Sequence, residues 1–267
     1  MEHRPVAFDE TGIGAALSGL PLGGLRVFRC LRSTNDEALA WASAGAADLS
    51  LVIADEQTAG RGRSGRKWLT PPGTAVALSM ILRGGALDSS GRLAGLGAMA
   101  VADACASLGL QPAIKWPNDV LLGRRKVAGI LVEALWNGDH LEAAVIGVGI
   151  NVRVGSAPTS GTLIFPATSM EEQLGSSLDR VDVLRATVSA MTAWRPRMHT
   201  AEFIEAWERL LAFRGNQVTL TCEDQPPIMG RLLGLEDDGS LRLMGNEEVI
   251  RVQLGEIHLR PTDDRME

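Results

Sequence analysis

The sequence is poor in cysteine and has no excess of positive charge, and each shortage excludes a class of protein. The three cysteines, Cys30, Cys105 and Cys222, lie far apart, and no CxxC pair or Cys/His cluster occurs. This usage argues against a disulfide framework or a structural zinc site and predicts a reducing, cytoplasmic location. Lys and Arg total 26 against 32 Asp and Glu, which gives a formal net charge of −6. A general nucleic-acid binder usually carries a basic surface, so we expect no DNA partner.

The chain also lacks a long apolar segment. No run reaches the length that a membrane-spanning helix needs, and the first ten residues, MEHRPVAFDE, contain no apolar signal-peptide core. We therefore expect a soluble protein with no membrane partner. Its 267 residues allow one large domain and one small one, and an apolar content of 45% suffices for a sizeable core.

Hydrophobic patterns divide the chain near residue 213. Before this point, strands are expected at 25–30, 49–57, 75–82, 113–116 and 120–122, a hairpin over 126–136 and 140–152, and helices at 90–109, 180–195 and 200–213. Thr34 and Glu37 have the spacing of a capping box, which predicts a helix beginning there. After residue 213, short period-two runs separated by Gly, Asp and Asn turns predict a small SH3-like β-barrel.

One loop concentrates positive charge in this acidic chain. Residues 59–68 read AGRGRSGRKW, in which three glycines alternate with Arg61, Arg63, Arg66 and Lys67. Glycines let backbone N–H groups approach an anion, and guanidinium groups supply forked donors. No GK[ST] follows and no helix opens, so the loop is neither a Walker A loop nor a dinucleotide fingerprint. A solvated surface loop is the alternative, but Trp68 at its end favours a nucleotide ligand.

Two turns carry polar residues that could contact a ligand. In KWPND, Pro117 imposes a turn that brings Lys115, Asn118 and Asp119 together at a strand end. That combination suits phosphate and divalent-metal handling, although an ordinary Pro-Asn-Asp turn would look the same. The polar run at 33–35, Ser-Thr-Asn, is explained by helix capping alone, but it could also present hydroxyls and N–H donors to a polar head group.

Two strands carry residues that are unusual in a sheet interior. Lys126 opens the apolar strand KVAGI, where it could meet a carboxylate or an α-phosphate, and Gly129 weakens that strand unless something approaches closely. In GVGIN, Gly147 and Gly149 leave one sheet face bare, with Asn151 at its rim. The face has room for a flat ligand, while a bulge or a packing glycine is the simpler interpretation of each position.

The order of these stretches resembles that of one family. STN, EQTAGRGRSGRKW, KWPND, KVAGILVE and GVGINV follow one another over about residues 25–155, as in the biotin protein ligases, and the combination of KWPND with GRGRSGR is highly specific. The resemblance implies an α+β fold, with a mixed central sheet flanked by helices over 1–213 and the SH3-like β domain over 214–267. It also implies that biotin is activated with ATP and Mg²⁺ to biotinyl-5′-AMP and passed to a lysine of a biotin carboxyl-carrier protein.

The resemblance further implies a role for each matching residue. Those expected to bind biotin are Ser33, Thr34, Asn35, Gln57, Arg61, Gly62, Arg63, Lys126, Gly129, Gly147 and Gly149. Those expected to bind ATP or the adenylate are Arg63, Arg66, Trp68, Lys115, Asn118 and Asn151, with Asp119 holding Mg²⁺. The catalytic residues would be Lys126, Arg63 and Arg61, which stabilise charge where carboxylate meets phosphate. The basic loop would close over the intermediate as a lid.

Several alternatives stay open. A lipoate or octanoate ligase or transferase shares the same fold, and a biotin-responsive regulator without enzymatic activity or a protein-binding module are more distant possibilities. Arg32 stands where a small residue is usual in the family. Because the motifs begin near residue 25, we expect the monofunctional type without a DNA-binding domain. An exposed strand of the central sheet could pair with a carrier domain or a second copy, so we expect a monomer or weak homodimer.

Overall fold

The computed structural model describes residues 8–84, 87, 90–157, 166–222, 225–246, 248–253 and 258–261. These residues form two β-sheets with helices packed on the larger one, as the α+β expectation requires. Within the described residues, no helix combines the length and hydropathy needed to cross a membrane.

The larger sheet has seven strands in the order β1-β2-β3-β7-β6-β5-β4. The strands are β1 (Gly24–Leu31), β2 (Ser50–Gln57), β3 (Ala75–Leu82), β4 (Pro112–Lys115), β5 (Asp119–Leu122), β6 (Arg125–Asn137) and β7 (His140–Asn151). Strands β1 and β2 are parallel, and the other neighbours are antiparallel. The predicted mixed sheet is therefore confirmed, and the hairpin of β6 and β7 closes at Asn137 and His140 as expected.

Helices cover the sheet where apolar spacing predicted most of them. They are α1 (Glu10–Ala16), α2 (Thr34–Ser43), α3 (Ser90–Ser107), α4 (Met170–Leu174), α5 (Arg180–Trp194) and α6 (Ala201–Leu210). Helix α4 was not predicted, although a capping box at its start, formed by Ser169 and Glu172, is present in the structure. A buried cluster including Leu51, Leu78 and Met99 lies between the sheet and these helices.

The capping box predicted at Thr34 and Glu37 is wrong. Ser33, not Thr34, occupies the N-cap position of α2, and its side chain makes no capping hydrogen bond. The hydroxyl of Thr34 instead donates to Gln57 Oε1 over 3.1 Å. A tertiary contact therefore holds the polar group that local capping would otherwise have used.

The second sheet begins after α6. It contains β8 (Gln217–Cys222), β9 (Gln225–Leu235), β10 (Leu241–Met244), β11 (Val249–Val252) and β12 (His258–Pro261). These five strands are antiparallel in the order β11-β10-β9-β8-β12, which is consistent with the predicted SH3-like module. The domain boundary at 213 stays a prediction. Buried residues of this sheet, including Leu232 and Leu243, belong to the same apolar cluster as the first sheet.

Candidate active site

Residues with small side chains form a row across one face of the larger sheet. Antiparallel register places Gly129 opposite Gly149, and Gly149 opposite Ala77. The same row continues to Asp119 and Lys115 at the sheet edge. Directly paired residues point their side chains to the same face, so the row passes from nearly bare backbone to charged groups. This register brings together motifs that are far apart in the sequence.

Three charged side chains meet at the end of this row, and we call them the charged cluster: Lys115, Asp119 and Lys126. Lys126 Nζ lies 2.5 Å from Asp119 Oδ1, and Lys115 Nζ lies 3.5 Å from Asp119 Oδ2. Burial alone would raise the pKa of Asp119, but the two ammonium groups outweigh it and hold that pKa below its usual value. Burial lowers the pKa of Lys115, and the attraction of Asp119 opposes that shift.

The basic loop is folded as a small hairpin, which we call the basic hairpin (59–68). Arg61 and Lys67 form an antiparallel bridge, and Gly62 N donates to the Arg66 carbonyl over 2.7 Å. The turn uses left-handed backbone at Ser64 and Gly65, with φ of 53° and 68°. The arginine side chains of this hairpin are therefore carried by a hydrogen-bonded backbone.

The basic hairpin contacts the turn that carries Lys115 and Asp119 of the charged cluster. Arg63 Nη1 donates to Asn118 Oδ1 over 3.2 Å, and Asn118 Nδ2 donates in turn to the Ile130 carbonyl over 2.8 Å. The positive charge of Arg66 contributes to the lowering of the Lys115 pKa. Residues of the KWPND turn therefore meet the basic hairpin directly, which is the arrangement that the lid hypothesis requires.

Trp68 covers the glycines of β6 and β7. A Cβ built on Gly149 would lie 2.3 Å from Trp68 Cε2, and one on Gly129 would lie 3.2 Å from the same ring. Lys126 Nζ lies 5.6 Å from the centre of the indole ring, within cation–π range. The indole Nε1 is buried and has no hydrogen-bond partner among the described atoms. The face predicted to be bare therefore carries Trp68, which lies beside the glycines assigned to biotin as well as the groups assigned to ATP.

A second group of side chains is uncharged, and we call it the neutral cluster: Thr34, Asn35, Gln57 and Ser79. Ser79 Oγ lies 2.8 Å from Thr34 Oγ1 and 2.6 Å from Asn35 Oδ1. Gln57 Oε1 accepts from the backbone N of Thr34 over 2.8 Å, and Gln57 Nε2 donates to Thr70 Oγ1 over 3.1 Å. A Cβ on Gly147 would lie only 2.1 Å from Asn35 Oδ1. Gly147 is therefore required for Asn35 to reach this position.

Three residues that the sequence analysis did not select complete the site. Besides Ser79, they are Asp36 and Glu133, which bind Arg61 over 2.6 and 2.9 Å. Glu133 Oε2 also accepts from Asn35 Nδ2 over 2.7 Å. Glu133 therefore connects the basic hairpin to the neutral cluster. It stands at the end of KVAGILVE, so the motif contained it, but no pattern indicated that its carboxylate faces Arg61.

Asn151 lies behind the site. Its side chain is buried and its Nδ2 donates to the Thr168 carbonyl over 3.1 Å. Thr168 N in turn donates to the Lys126 carbonyl, and Ala167 forms a parallel bridge with Lys126. In this structure Asn151 therefore supports the backbone that carries Lys126. Arg32, whose role the sequence left open, is exposed.

Asp119 does not fit a resident magnesium site. Both of its oxygens face lysine ammonium groups, and Mg²⁺ prefers several unpaired oxygen ligands in octahedral geometry. Across the part of the chain that the structure describes, no group of three His, Cys, Asp or Glu residues could hold a metal ion. No catalytic step is therefore assigned to a metal bound by Asp119.

Comparison with known proteins identifies the family to which the motifs belong. Residues 27–151, which contain the first four motifs and all but the last residue of the fifth, match the biotin/lipoate A/B protein ligase family. Over 230 residues the chain is 37% identical to the biotin–[acetyl-CoA-carboxylase] ligase of Paracoccus denitrificans, with 80% of this chain and 91% of that protein covered. The chain belongs to the biotin protein ligase family. A Mycobacterium tuberculosis protein of the same name is 32% identical, with 94% of this chain and 96% of that one covered.

Solved structures of biotin protein ligases share the fold. The Aquifex aeolicus biotin protein ligase in complex with biotin and ATP superimposes with a TM-score of 0.77 at 27% sequence identity. That superposition covers 90% of this chain and 99% of the A. aeolicus chain. The likeness to a biotin protein ligase therefore extends well beyond the five motifs.

Proposed function

We propose that this protein activates biotin with ATP and transfers it to a lysine of a biotin carboxyl-carrier protein, a subunit or domain of an acyl-CoA carboxylase. In the first step an oxygen of the biotin carboxylate attacks the α-phosphorus of ATP, the bond to the β-phosphate oxygen breaks, and pyrophosphate leaves. In the second step the carrier's neutral lysine amine attacks the acyl carbon of biotinyl-5′-AMP. An amide forms, the amine loses a proton, and AMP leaves.

The observation that carries this proposal is the contact between the basic hairpin and the turn that holds the charged cluster. A carboxylate and a triphosphate repel one another, so a site that joins them needs fixed positive charge. Lys126 and Lys115 supply it from the sheet, while Arg63, bonded to Asn118, supplies it from the hairpin. The similarity to a biotin protein ligase solved with biotin and ATP supports biotin and ATP as the two anionic substrates.

Lys126 and Arg63 are proposed to stabilise the charge that develops at the α-phosphate, with Arg61 holding the closed hairpin. The proposed biotin-binding residues are Ser33, Thr34, Asn35, Gln57, Arg61, Gly62, Arg63, Lys126, Gly129, Gly147 and Gly149. The proposed nucleotide-binding residues are Arg63, Arg66, Trp68, Lys115 and Asn118, and Asn151 contributes by supporting Lys126. Magnesium is proposed to arrive with ATP as part of the substrate, since Asp119 is already paired.

The supporting geometry differs between the two substrates. The neutral cluster offers amide and hydroxyl groups, which suit the uncharged ureido ring of biotin. Trp68 lies over Gly149 between that cluster and Lys126, so one flat side chain could border both the biotin chain and the adenylate. Closing the basic hairpin would exclude water from the mixed anhydride.

The experiment is transfer to a biotin-acceptor domain, followed by intact mass. The protein is incubated with ATP, Mg²⁺ and the acceptor, with biotin in one reaction and lipoate in another. We expect one biotinyl addition and no lipoyl addition, and none on an acceptor whose target lysine is replaced by arginine. Lipoyl addition in place of biotinyl addition would show that the protein is a lipoate ligase of the same fold, and no addition at all would contradict a ligase.

Three further expectations stay predictions. The absence of DNA binding can be checked by a gel shift with duplex DNA, in which we expect no retarded band. A monomer or weak homodimer is expected from sedimentation over a range of concentrations. The cytoplasmic location rests on cysteine usage, and Cys30 and Cys105 are free thiols in the structure.

A further inference from the structure

The second sheet touches the KWPND motif through one buried tryptophan. Trp116 is 0% exposed, and its indole Nε1 donates to the carbonyl of Gly239 over 3.0 Å. Gly239 belongs to the turn at 236–239 between β9 and β10, where its N–H donates to the Glu236 carbonyl over 2.9 Å. A hydrogen bond in a fully buried setting is directional, and its loss leaves a polar group without a partner. The turn therefore constrains the orientation of the Trp116 ring.

The turn is itself fixed on the larger domain from a second side. Arg92 Nε at the start of α3 donates to the Asp237 carbonyl over 2.6 Å. A Cβ on Gly91 would lie 2.8 Å from the Asp238 carbonyl, so helix and turn backbones are in close contact. Gly239 has φ of +81°, and a Cβ there would lie 3.0 Å from the Trp207 ring. The turn is thus held by α3 and α6 and can act as a rigid support.

Trp116 lies inside the motif that supplies two of the three members of the charged cluster. Lys115 precedes it, and Asn118 and Asp119 follow within three positions. Asn118 holds Arg63 of the basic hairpin, and Asp119 holds Lys126. A rotation of the Trp116 ring would therefore move groups that fix both the sheet side and the hairpin side of the nucleotide site. The neutral cluster lies on α2, β2 and β3 and has no member in this motif.

We propose that the turn at 236–239 is a positioning element for the nucleotide half of the site, acting through Trp116. This inference rests on the proposed function, which assigns Lys115 and Asn118 to ATP. Trp116 is a positioning residue, because its contact is with Gly239 and it acts through its neighbours. The small β domain therefore contributes to biotin activation by fixing the geometry of the KWPND turn.

The test is Trp116→Phe, which keeps an aromatic ring and removes the indole donor. We expect KM for ATP in biotinyl-5′-AMP formation to rise about 3- to 10-fold, the range that the loss of one buried hydrogen bond predicts. KM for biotin should stay unchanged. The matched control is Trp194→Phe, which also loses an indole hydrogen bond, to Asp103 over 2.7 Å on the helical side. That control should lower the melting temperature without changing either KM.

A second variant approaches the same contact from the turn. Gly239→Ala combines an unfavourable φ of +81° with a Cβ 3.0 Å from the Trp207 ring, so it should displace the carbonyl that Trp116 uses. It should raise KM for ATP in the same direction, and it carries the test if Trp116→Phe does not fold. An unchanged KM for ATP, or an equal rise in both KM values, overturns the proposal. Failure of the wild-type protein to form biotinyl-5′-AMP would instead contradict the proposed function.

Discussion

The charged cluster and the neutral cluster border the same sheet face, but different interactions hold them in place. In the charged cluster, Asp119 pairs with Lys126 and Lys115 over 2.5 and 3.5 Å. In the neutral cluster, Ser79 bridges Thr34 and Asn35 over 2.8 and 2.6 Å, without any formal charge. Charges removed from water are expensive unless they are paired, whereas uncharged polar groups need only hydrogen bonds.

This difference indicates how one site can accept two unlike substrates. The charged cluster holds its cations close together before any phosphate arrives, because Asp119 offsets their repulsion. The neutral cluster fixes the direction of its donors and acceptors, because each hydrogen bond constrains its neighbour. Variants of the charged cluster should therefore affect the chemical step and stability, and variants of the neutral cluster should affect biotin affinity.

The largest effect is expected for Lys126→Met. Removing the cation where carboxylate and α-phosphate meet should slow biotinyl-5′-AMP formation by about 100- to 1000-fold, the usual loss for one group that stabilises transition-state charge. Pyrophosphate release measures this step. Arg197→Met removes a surface cation whose contacts, an ion pair with Glu202 and packing against Trp194, lie outside the site, so it should leave the rate unchanged. A loss confined to KM for biotin would contradict the division between the two clusters.

Asp119→Asn should have the largest effect on stability. It leaves Lys115 and Lys126 together without their carboxylate, and breaking a buried pair costs about 3 kcal/mol. The pKa of wild-type Asp119 is lowered, so its contribution to the free energy of unfolding is fully present above pH 3.8, the ordinary pKa of Asp. That contribution is lost as the pH falls through the pKa of the folded state.

The Asp119→Asn variant should also regain stability at alkaline pH. The pKa of Lys115 is already lowered by burial from 10.5, and without Asp119 it should fall further. A lowered lysine pKa makes folding more favourable as the pH rises towards 10.5. Urea unfolding of wild type and variant between acid and alkaline pH measures the difference between their free energies of unfolding. This difference should be largest near neutral pH. Glu202→Gln, on the protein surface, should show no such pH dependence.

Gly147→Ala should weaken biotin binding. The added Cβ would lie 2.1 Å from Asn35 Oδ1 and must displace that carboxamide. Overpacking of this kind costs about 1–3 kcal/mol, so KM for biotin should rise about 10-fold. Gly14→Ala is the control, because its Cβ would meet only Leu25 Cδ2 at 3.8 Å. A rise in KM for ATP with no change in KM for biotin would contradict the assignment of Asn35 to biotin.

The smallest effect is expected for Ser79→Ala, with a second buried serine, Ser50, as its control. Ser79→Ala removes a hydroxyl that contacts Thr34 and Asn35, and the loss of about 1 kcal/mol should raise KM for biotin about fivefold. Ser50→Ala removes a hydroxyl that is equally buried but has no hydrogen-bond partner among the described atoms. We expect no change in KM from that control. Equal effects of the two substitutions would show that Ser79 acts only through packing.

The sequence predicted the strands and most helices, because apolar periodicity and turn residues are local signals. The hairpin of β6 and β7 illustrates this, since two apolar runs at 126–136 and 140–152, separated by a short turn, indicated where the chain reverses. The sequence also predicted that Lys115 and Asp119 lie together, since they are four residues apart around one turn. It could not show that Asp119 binds two lysines, because pairing depends on the register of β5 with β6.

The neutral cluster was harder to predict in full. Asn35 reaches Glu133 across 98 positions of the sequence, and Ser79 reaches Thr34 across 45. A serine within an apolar strand has no local pattern that marks it as part of a site. Thr34 was interpreted as a cap because its spacing to Glu37 fitted, whereas a tertiary hydrogen bond to Gln57 took its hydroxyl. Long-range contacts of polar groups are therefore what the sequence left undetermined.

The central claim is that cations from the basic hairpin and the charged cluster enclose one activated intermediate, and Arg63→Gly tests it most directly. The variant loses the bond to Asn118 that joins the two sides. The measurement is the rate at which preformed biotinyl-5′-AMP leaves the protein, followed by rapid filtration. We predict faster release in Arg63→Gly, with biotin appearing on lysines of bystander proteins. Release at the wild-type rate, with no bystander labelling, would contradict the account.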